Sequence, residues 1–151
     1  MRTSRKPDTI LALDVGAKRI GVARAHLEAA FPRPLMTLDN PKSFVADIVR
    51  LVDSENAAAV VIGLPRGMQG QETAQTAAVQ EFGGILAGQL AVPLHWTDEA
   101  VTSEKAEAEL KRRGKPYVKG DIDALAATYI LEDYLREHPH PAEGLTRGQD
   151  G

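Results

Sequence analysis

The feature that most constrains the fold is an apolar strand that ends in a carboxylate. The apolar run Ile10–Leu13 leads into Asp14, within a predicted strand Thr9–Val15. Gly16 lies in the predicted turn that follows, and Arg19–Ala25 is predicted to be the antiparallel partner strand. A carboxylate in an apolar strand is costly to remove from water unless it has a partner. The pattern therefore predicts a hairpin at the rigid centre of a sheet, with a metal ion as one partner that Asp14 can have.

The rest of the chain alternates strands and helices. The continuous apolar run Ala57–Leu64 is typical of a strand that is covered on both faces, and Asn40 before Pro41 is a favourable helix start. The predicted elements after the hairpin are strand Pro34–Leu38, helix Pro41–Glu55, strand Ala57–Leu64, helix Thr73–Leu90, strand Val92–Thr97, helix Thr102–Arg113 and helix Ile122–Glu137. A hairpin followed by this alternation predicts an α/β fold with a mixed five-stranded sheet flanked by helices.

Length and composition indicate one domain. The chain has 151 residues, of which 43% are hydrophobic, and we expect a domain over residues 9–137, a flexible basic N-terminus over 1–8 and a disordered tail rich in proline and glycine over 138–151. There is no cysteine, which excludes disulfides and thiolate metal sites. Neither a secretory signal nor an apolar run of the roughly 20 residues of a membrane span is present. We therefore expect a soluble, cytoplasmic protein without membrane partners.

Acidic residues stand at the ends of several predicted elements. Asp14 ends the first strand, Asp98 and Glu99 follow the last strand, and Asp123 lies in the first turn of the last helix. If the helix crosses the first strand, these carboxylates share the edge where strands end and functional groups gather. Oxygen ligands of this kind suit Mg²⁺ or Mn²⁺, and two such ions about 4 Å apart can support phosphodiester hydrolysis.

The acids other than Asp14 also have a structural interpretation, whereas an aspartate at a buried strand end lacks a routine structural role. Asp121 or Asp123 can serve only as a helix cap or a favourable charge at the helix N-terminus. Asp98 can be a turn residue and Glu99 a solvated one. Asp98 and Glu99 point to opposite sides of an extended segment, and we favour Glu99 as the ligand because its side chain is longer.

Candidate nucleic-acid contacts come from local basic groups, because the net charge of −3 rules out a uniformly cationic surface. One pair of cations lies in the first turn, and one arginine follows a Gly-Leu-Pro sequence. A predicted flexible basic loop carries five cations, which can contact phosphates, and a tyrosine, which can stack on an unpaired base. The alternatives are a solvated hairpin tip and cations at a helix C-terminus. The candidates are Lys18, Arg19, Arg66, Lys111, Arg112, Arg113, Lys115, Tyr117 and Lys119.

Four sequence blocks resemble the YqgF/RuvX family of RNase H-like bacterial nucleases. In order they are Asp14-Val15-Gly16-Ala17-Lys18-Arg19-Ile20-Gly21-Val22-Ala23, Val61-Ile62-Gly63-Leu64-Pro65 followed by Gly70, Asp98-Glu99 with Thr102-Ser103, and Asp123-x-x-Ala126-Ala127 with Ile130-Leu131. The resemblance implies an RNase H-like fold in a single domain. It also implies a metal-dependent acidic site of Asp14, Asp98 or Glu99 or both, and Asp123, with two Mg²⁺ or Mn²⁺ ions.

The same resemblance suggests a substrate and two alternatives. It implies a metal-dependent nuclease that processes the 5′ end of pre-16S rRNA, alone or on ribosomal precursor particles. The first alternative is a Holliday junction resolvase, whose paired cuts in branched DNA need a twofold dimer, so the protein can be a monomer or a homodimer. The second is a non-catalytic RNA-binding module, because the family usually has arginine where this chain has Ala100. An actin-like ATPase is disfavoured because the chain is too short for a second subdomain.

Overall fold

A computed structural model describes residues 6–99 and 102–139 of the chain. The described elements are β1 Thr9–Val15, β2 Ile20–His26, β3 Arg33–Leu38, a 3₁₀ turn Pro41–Ser43, α1 Phe44–Ser54, β4 Ala57–Pro65, α2 Ala74–Gln89, β5 Leu94–Glu99, α3 Thr102–Arg113 and α4 Lys119–Glu137. Most of the predicted basic N-terminus, nearly all of the predicted tail and Ala100 lie outside the described residues.

The strands of the described part form one five-stranded sheet in the order β3-β2-β1-β4-β5. β1 pairs antiparallel with β2 and parallel with β4, and β4 pairs parallel with β5. The sheet is therefore mixed, as the sequence predicts. Its two central strands are almost entirely buried, which explains why β4 is a continuous apolar run rather than an alternating one.

Successive side chains of a strand point to opposite faces of the sheet, so the core has one part on each face. On one face, Leu11 and Leu13 of β1 pack in a cluster with Phe44 and Ile48 of α1 and with Leu86 of α2. On the other face, small and branched side chains of β1, β2 and β4 pack against α4; this cluster contains Ile10, Ala12, Ala23, Ala59, Val61, Ala127, Ile130 and Leu131. The small side chains on this second face let α4 lie close to the sheet.

Among the predicted boundaries that differ from the structure, three concern the site. β5 ends at Glu99 rather than Thr97 because its pairing with β4 continues through Leu64 with Asp98 and Pro65 with Glu99. Asp98 and Glu99 therefore lie within the strand and on opposite faces. β2 begins one residue later than predicted, at Ile20, which leaves Arg19 in the turn.

The last helix begins at Lys119, three residues before the predicted start. Asp121 lies in the first turn, and its Oδ2 accepts a hydrogen bond of 2.9 Å from the Val118 backbone nitrogen. This is the interaction that an acid at the third helical position commonly makes with the residue before the helix. Asp121 therefore has the capping role that the sequence left open, and Asp123 is free for another.

Gly83 of α2 makes room for Trp96, the only tryptophan of the chain. A Cβ at Gly83 would overlap Cη2 of the indole and lie 2.6 Å from Cζ2. Trp96 is nevertheless 39% exposed because it lies on β5 at the edge of the sheet.

Gly83→Ala is expected to lower the free energy of unfolding by about 1–3 kcal/mol, because the indole has to move. Gly84→Ala is the matched control, because a Cβ at Gly84 meets nothing within 4 Å and alanine favours a helix by up to about 1 kcal/mol. Urea unfolding followed by tryptophan fluorescence measures both. Equal stability changes in the two variants would contradict the role assigned to Gly83.

Candidate active site

Asp14 and Asp123 lie next to each other where β1 meets α4. Asp14 pairs with Gly21 of β2. A Cβ at position 21 would overlap the carbonyl group of Asp123 and lie 2.7 Å from the backbone nitrogen of Ala124. The absence of a side chain at Gly21 therefore lets the α4 backbone contact the sheet at the level of Asp14.

The two carboxyl groups influence each other electrostatically. Burial, and secondly the charge of Asp123, raise the pKa of Asp14 from 3.8 to about 7. Asp123 has a cationic partner, since Nε of Arg19 donates a 2.6 Å hydrogen bond to its Oδ2. The described structure thus holds two adjacent carboxyl groups and one positive charge, and a second cation would stabilise the ionised form of Asp14.

Asp98 and Glu99 point to different sides of β5. Asp98 is exposed, and its Oδ1 accepts a hydrogen bond of 3.1 Å from Nε of Arg66. Glu99 lies on the face of the sheet that α4 covers. Its Cγ is 3.3 Å from the position that a Cβ would take at Gly63. Gly63 pairs with Thr97 of β5, two residues before Glu99 and therefore on the same face.

Glu99 interacts with an acid of α4 that lies beyond Asp123. Burial, a hydrogen bond shared with Asp133, and the charges of Asp133 and Glu137 raise the pKa of Glu99 to about 9, against a smaller opposite effect of Lys105. Its Oε1 is buried and has no hydrogen-bond partner. The geometry therefore brings Asp14 and Asp123 together and leaves Glu99 beside Asp133.

The donor atoms at this edge suit a hard divalent ion. The described residues contain no group of three or more acidic, histidine or cysteine side chains already arranged to hold a metal ion. Asp14 and Asp123 supply oxygen donors on β1 and α4. Glu99 supplies a further buried oxygen that lacks a partner. Carboxylate oxygens are the ligands that Mg²⁺ and Mn²⁺ prefer, so these residues fit the predicted ions in kind.

The predicted basic groups differ in their partners. Lys18 is exposed in the first turn, whereas Arg19 pairs with Asp123. Arg66 contacts Asp98 and, at 3.5 Å, Glu72, and its backbone nitrogen donates to the Glu99 carbonyl oxygen at 2.9 Å. Arg66 therefore joins the loop after β4 to the end of β5.

The predicted basic loop is shorter than the sequence suggests. Its first three cations end α3, its last one begins α4, and residues 114–118 connect them. Arg113 pairs with Glu109 at 2.7 Å, and the Tyr117 hydroxyl donates to Glu107 at 3.3 Å. The exposed cations of the segment are Lys111, Arg112, Arg113, Lys115 and Lys119. A cavity of about 260 Å³ lies between this connection, β3 and the first turns of α4, so the basic segment lies near the part of α4 that carries Asp123.

A family model described as RuvX, Holliday junction resolvase, matches residues 8–137 of the chain. The chain belongs to the RuvX family. The match covers all the described strands and helices and includes each predicted acidic residue.

Two relatives of this RuvX protein come from Chloroflexus. A protein of Chloroflexus aurantiacus is 41% identical over 148 residues, which are 93% of this chain and 97% of the relative. A protein of Chloroflexus aggregans is 44% identical over 137 residues, which are 88% of this chain and 96% of the relative. Both are named as candidate pre-16S rRNA nucleases. The family that the sequence motifs predicted is therefore confirmed.

Solved structures support the fold. RuvC of Thermus thermophilus in complex with a Holliday junction substrate aligns with a TM-score of 0.54 at 17% identity, over 87% of this chain and 97% of RuvC. The Holliday junction resolvase of fowlpox virus aligns with a TM-score of 0.51 at 13% identity, over 85% of this chain and 99% of the viral protein. The single-domain RNase H-like fold expected for a RuvX protein is thus confirmed.

Sequence reasoning missed two residues of the site in this RuvX chain. Gly21 was detectable, because a glycine inside a strand often marks the close approach of another backbone. Asp133 was not, because it follows Asp123 by ten residues on an amphipathic helix, where an acid is ordinary. Its contact with Glu99 depends on how α4 crosses the sheet.

Proposed function

We propose that this RuvX protein is a metal-dependent nuclease that hydrolyses phosphodiester bonds, with the 5′ end of pre-16S rRNA as its substrate in the bacterial cytoplasm. The observation that carries the proposal is the juxtaposition of Asp14 and Asp123 at the carboxyl end of the central strand. The names of the Chloroflexus relatives support the choice of RNA.

In this proposal Asp14, Asp123 and Glu99 hold one or two Mg²⁺ or Mn²⁺ ions. When bound, such ions lower the pKa of water and stabilise the leaving oxygen of a phosphodiester. Asp14 and Asp123 orient their oxygens from rigid elements rather than loops, which keeps the site preorganised. Arg66 fixes the end of β5 through the Asp98 carboxylate and the Glu99 carbonyl group.

The basic segment supplies affinity for the substrate. The exposed cations of this segment, from Lys111 to Lys119, neutralise backbone phosphates, which gives binding that weakens as salt increases. Tyr117 adds an aromatic surface for an unpaired base. These groups position the strand without reading its sequence, so selectivity for one RNA end requires its folded context, including a ribosomal precursor particle.

Cleavage of Holliday junction DNA is the second candidate function. The description of the RuvX family model favours it. Two symmetric cuts need two sites, hence a twofold dimer of this chain.

The test is cleavage of labelled precursor rRNA, single-stranded RNA and four-way junction DNA with Mn²⁺, Mg²⁺ or EDTA. Metal-dependent cleavage of the precursor is the expected result. Preferential cutting of the junction by a dimer, measured by light scattering with the DNA present, selects the second candidate. Binding without any cleavage selects a non-catalytic RNA-binding module.

Two neighbouring variants identify the third carboxylate. Glu99→Gln is expected to lower the cleavage rate by about a hundredfold or more, since removing one stabilising group of a preorganised site costs this much. Asp98→Asn, on the opposite face of the same strand, is expected to change the rate by less than about tenfold. The reverse order would assign the role to Asp98.

A further inference from the structure

Arg19 forms an ion pair with Asp123. Nε of Arg19 lies 2.6 Å from Oδ2, and the two side chains are 34% and 17% exposed. Exposed ion pairs contribute little to stability, but this one is partly buried and joins residues that are 104 positions apart. The Arg19–Asp123 pair therefore depends on the tertiary fold, because it forms only where α4 crosses the sheet.

The backbone of Arg19 is held in place as well. The Gly16 nitrogen donates a 2.9 Å hydrogen bond to the Arg19 carbonyl oxygen and closes the β1–β2 turn. By contrast, three other arginine pairs of the described residues, at Arg50, Arg113 and Arg136, join residues three or four positions apart on one helix. Among these four, only Arg19 pairs with a carboxylate of the proposed ligand set of Asp14, Glu99 and Asp123.

A divalent ion held by Asp14 and Asp123 would compete with Arg19 for the Asp123 carboxylate. An ion bound between Asp14 and Asp123 would take electron density from the oxygens of Asp123, one of which accepts the bond from Arg19. Displacement would free a planar guanidinium beside the ion, and guanidinium groups match the geometry of phosphate oxygens.

We propose that Arg19 is an exchangeable resident cation: it holds Asp123 in the metal-free protein, a divalent ion displaces it, and the released guanidinium binds a phosphate of the nucleic-acid strand. The phosphate ligand rests on the proposed nuclease function, and the exchange deepens that function. Because binding free energies are reciprocal, a phosphate that captures Arg19 strengthens metal binding by the same factor by which the metal strengthens phosphate binding. Arg19 is thus a positioning residue in one state and a substrate contact in the other.

The first test is calorimetric titration of Mn²⁺ into the full-length protein without nucleic acid. Arg19→Gln is expected to bind Mn²⁺ roughly tenfold more tightly than wild type, since the ion no longer breaks a charge-assisted hydrogen bond. Arg50→Gln removes the same charge and breaks an arginine–carboxylate pair on α1, on the opposite face of the sheet from α4, so it is the matched control with nearly unchanged affinity. Unchanged or weaker Mn²⁺ binding by Arg19→Gln would overturn the proposal, as would a wild-type protein that does not bind Mn²⁺.

Arg19→Lys guards against a glutamine variant that does not fold. Lysine keeps the charge but lacks the planar guanidinium, so its Mn²⁺ affinity is expected to lie between those of wild type and Arg19→Gln. An affinity below that of wild type would count against the exchange.

The second test follows the coupling with RNA. With a fluorescent single-stranded RNA made resistant to hydrolysis by phosphorothioate linkages, Mn²⁺ should tighten binding to the wild-type protein several-fold. Arg19→Gln should abolish most of this gain, whereas Arg50→Gln should preserve it. An equal gain in both variants would overturn the coupling. Because neither test measures cleavage, a protein that passes both but cleaves no substrate would remove the nuclease proposal and leave the exchange intact.

Discussion

Asp14→Asn is expected to abolish cleavage and, at the same time, to stabilise the metal-free protein above pH 7. Asparagine cannot carry the negative charge that a divalent ion requires, so we expect the cleavage rate to fall by about a thousandfold or more, a loss of roughly 4 kcal/mol in transition-state stabilisation. The stabilisation has a separate cause, which is the cost of ionising Asp14 in its buried place beside Asp123.

The sign of the pH effect follows from the raised pKa. The pKa of Asp14 rises from 3.8 to about 7 in the folded protein, so folding favours the protonated form. The stability that this proton contributes is complete below about pH 4 and is lost as the pH rises through about 7. The difference of roughly three pKa units, at about 1.4 kcal/mol each, sets a ceiling of about 4 kcal/mol on the effect.

Urea unfolding in EDTA between pH 4 and pH 8 measures this contribution. Wild type should lose stability over that range relative to Asp14→Asn, and the two should be similar near pH 4. Asp39→Asn, at an exposed position, controls for the change from carboxyl to amide and should remain within about 0.5 kcal/mol of wild type. A gain in Asp14→Asn that is the same at pH 4 and pH 8 would show that burial of the charge is not its cause.

The sequence predicted the architecture because its apolar patterns are strong and consistent. Residues of β1 and β4 form buried runs that tolerate few alternatives, and small residues such as Ala126 and Ala127 favour close packing of the last helix. In the structure Ala127 faces the sheet and Ala126 faces α3. Ala127 thus lets α4 lie close to the sheet, and Ala126 lets it lie close to α3.

The details of the site were less predictable because they depend on long-range geometry. From the local sequence, either Asp121 or Asp123 could cap the last helix. The observed start of α4 at Lys119 assigns the capping role to Asp121. The pairing of Arg19 with Asp123 and of Glu99 with Asp133 likewise requires the crossing of α4 over the sheet. The ligand set of Asp14, Glu99 and Asp123 stays a prediction that the variants above test.

Gly21→Ala is expected to disrupt the site from a position that carries no functional group. Its Cβ would overlap backbone atoms of Asp123, and backbone cannot turn aside as a side chain can, so α4 has to move away from β2. We expect a loss of about 3 kcal/mol in the free energy of unfolding, at the upper end for overpacked cores. A displacement of about 1 Å can also lower the cleavage rate by about a hundredfold.

Gly63→Ala separates this backbone clash from ordinary crowding. A Cβ at Gly63 would overlap Cδ1 of Ile130 and lie 2.8 Å from its Cγ1, and these atoms belong to a side chain that can adopt another rotamer. Gly63→Ala should therefore cost less stability than Gly21→Ala. If the two variants are equally destabilised, the close approach of α4 at Gly21 is not what sets the position of Asp123.

A double-mutant cycle then connects the glycine to the electrostatics of the site. If Gly21 holds Asp123 against Asp14, moving α4 outward lets water reach Asp14 and weakens the repulsion that raises its pKa. The stabilisation of Asp14→Asn at pH 8 should then be smaller in the Gly21→Ala background than in wild type, because residues in contact do not contribute additively. An undiminished effect would mean that burial within β1 alone raises the pKa of Asp14. Gly21 would then contribute to packing without tuning the carboxylate pair.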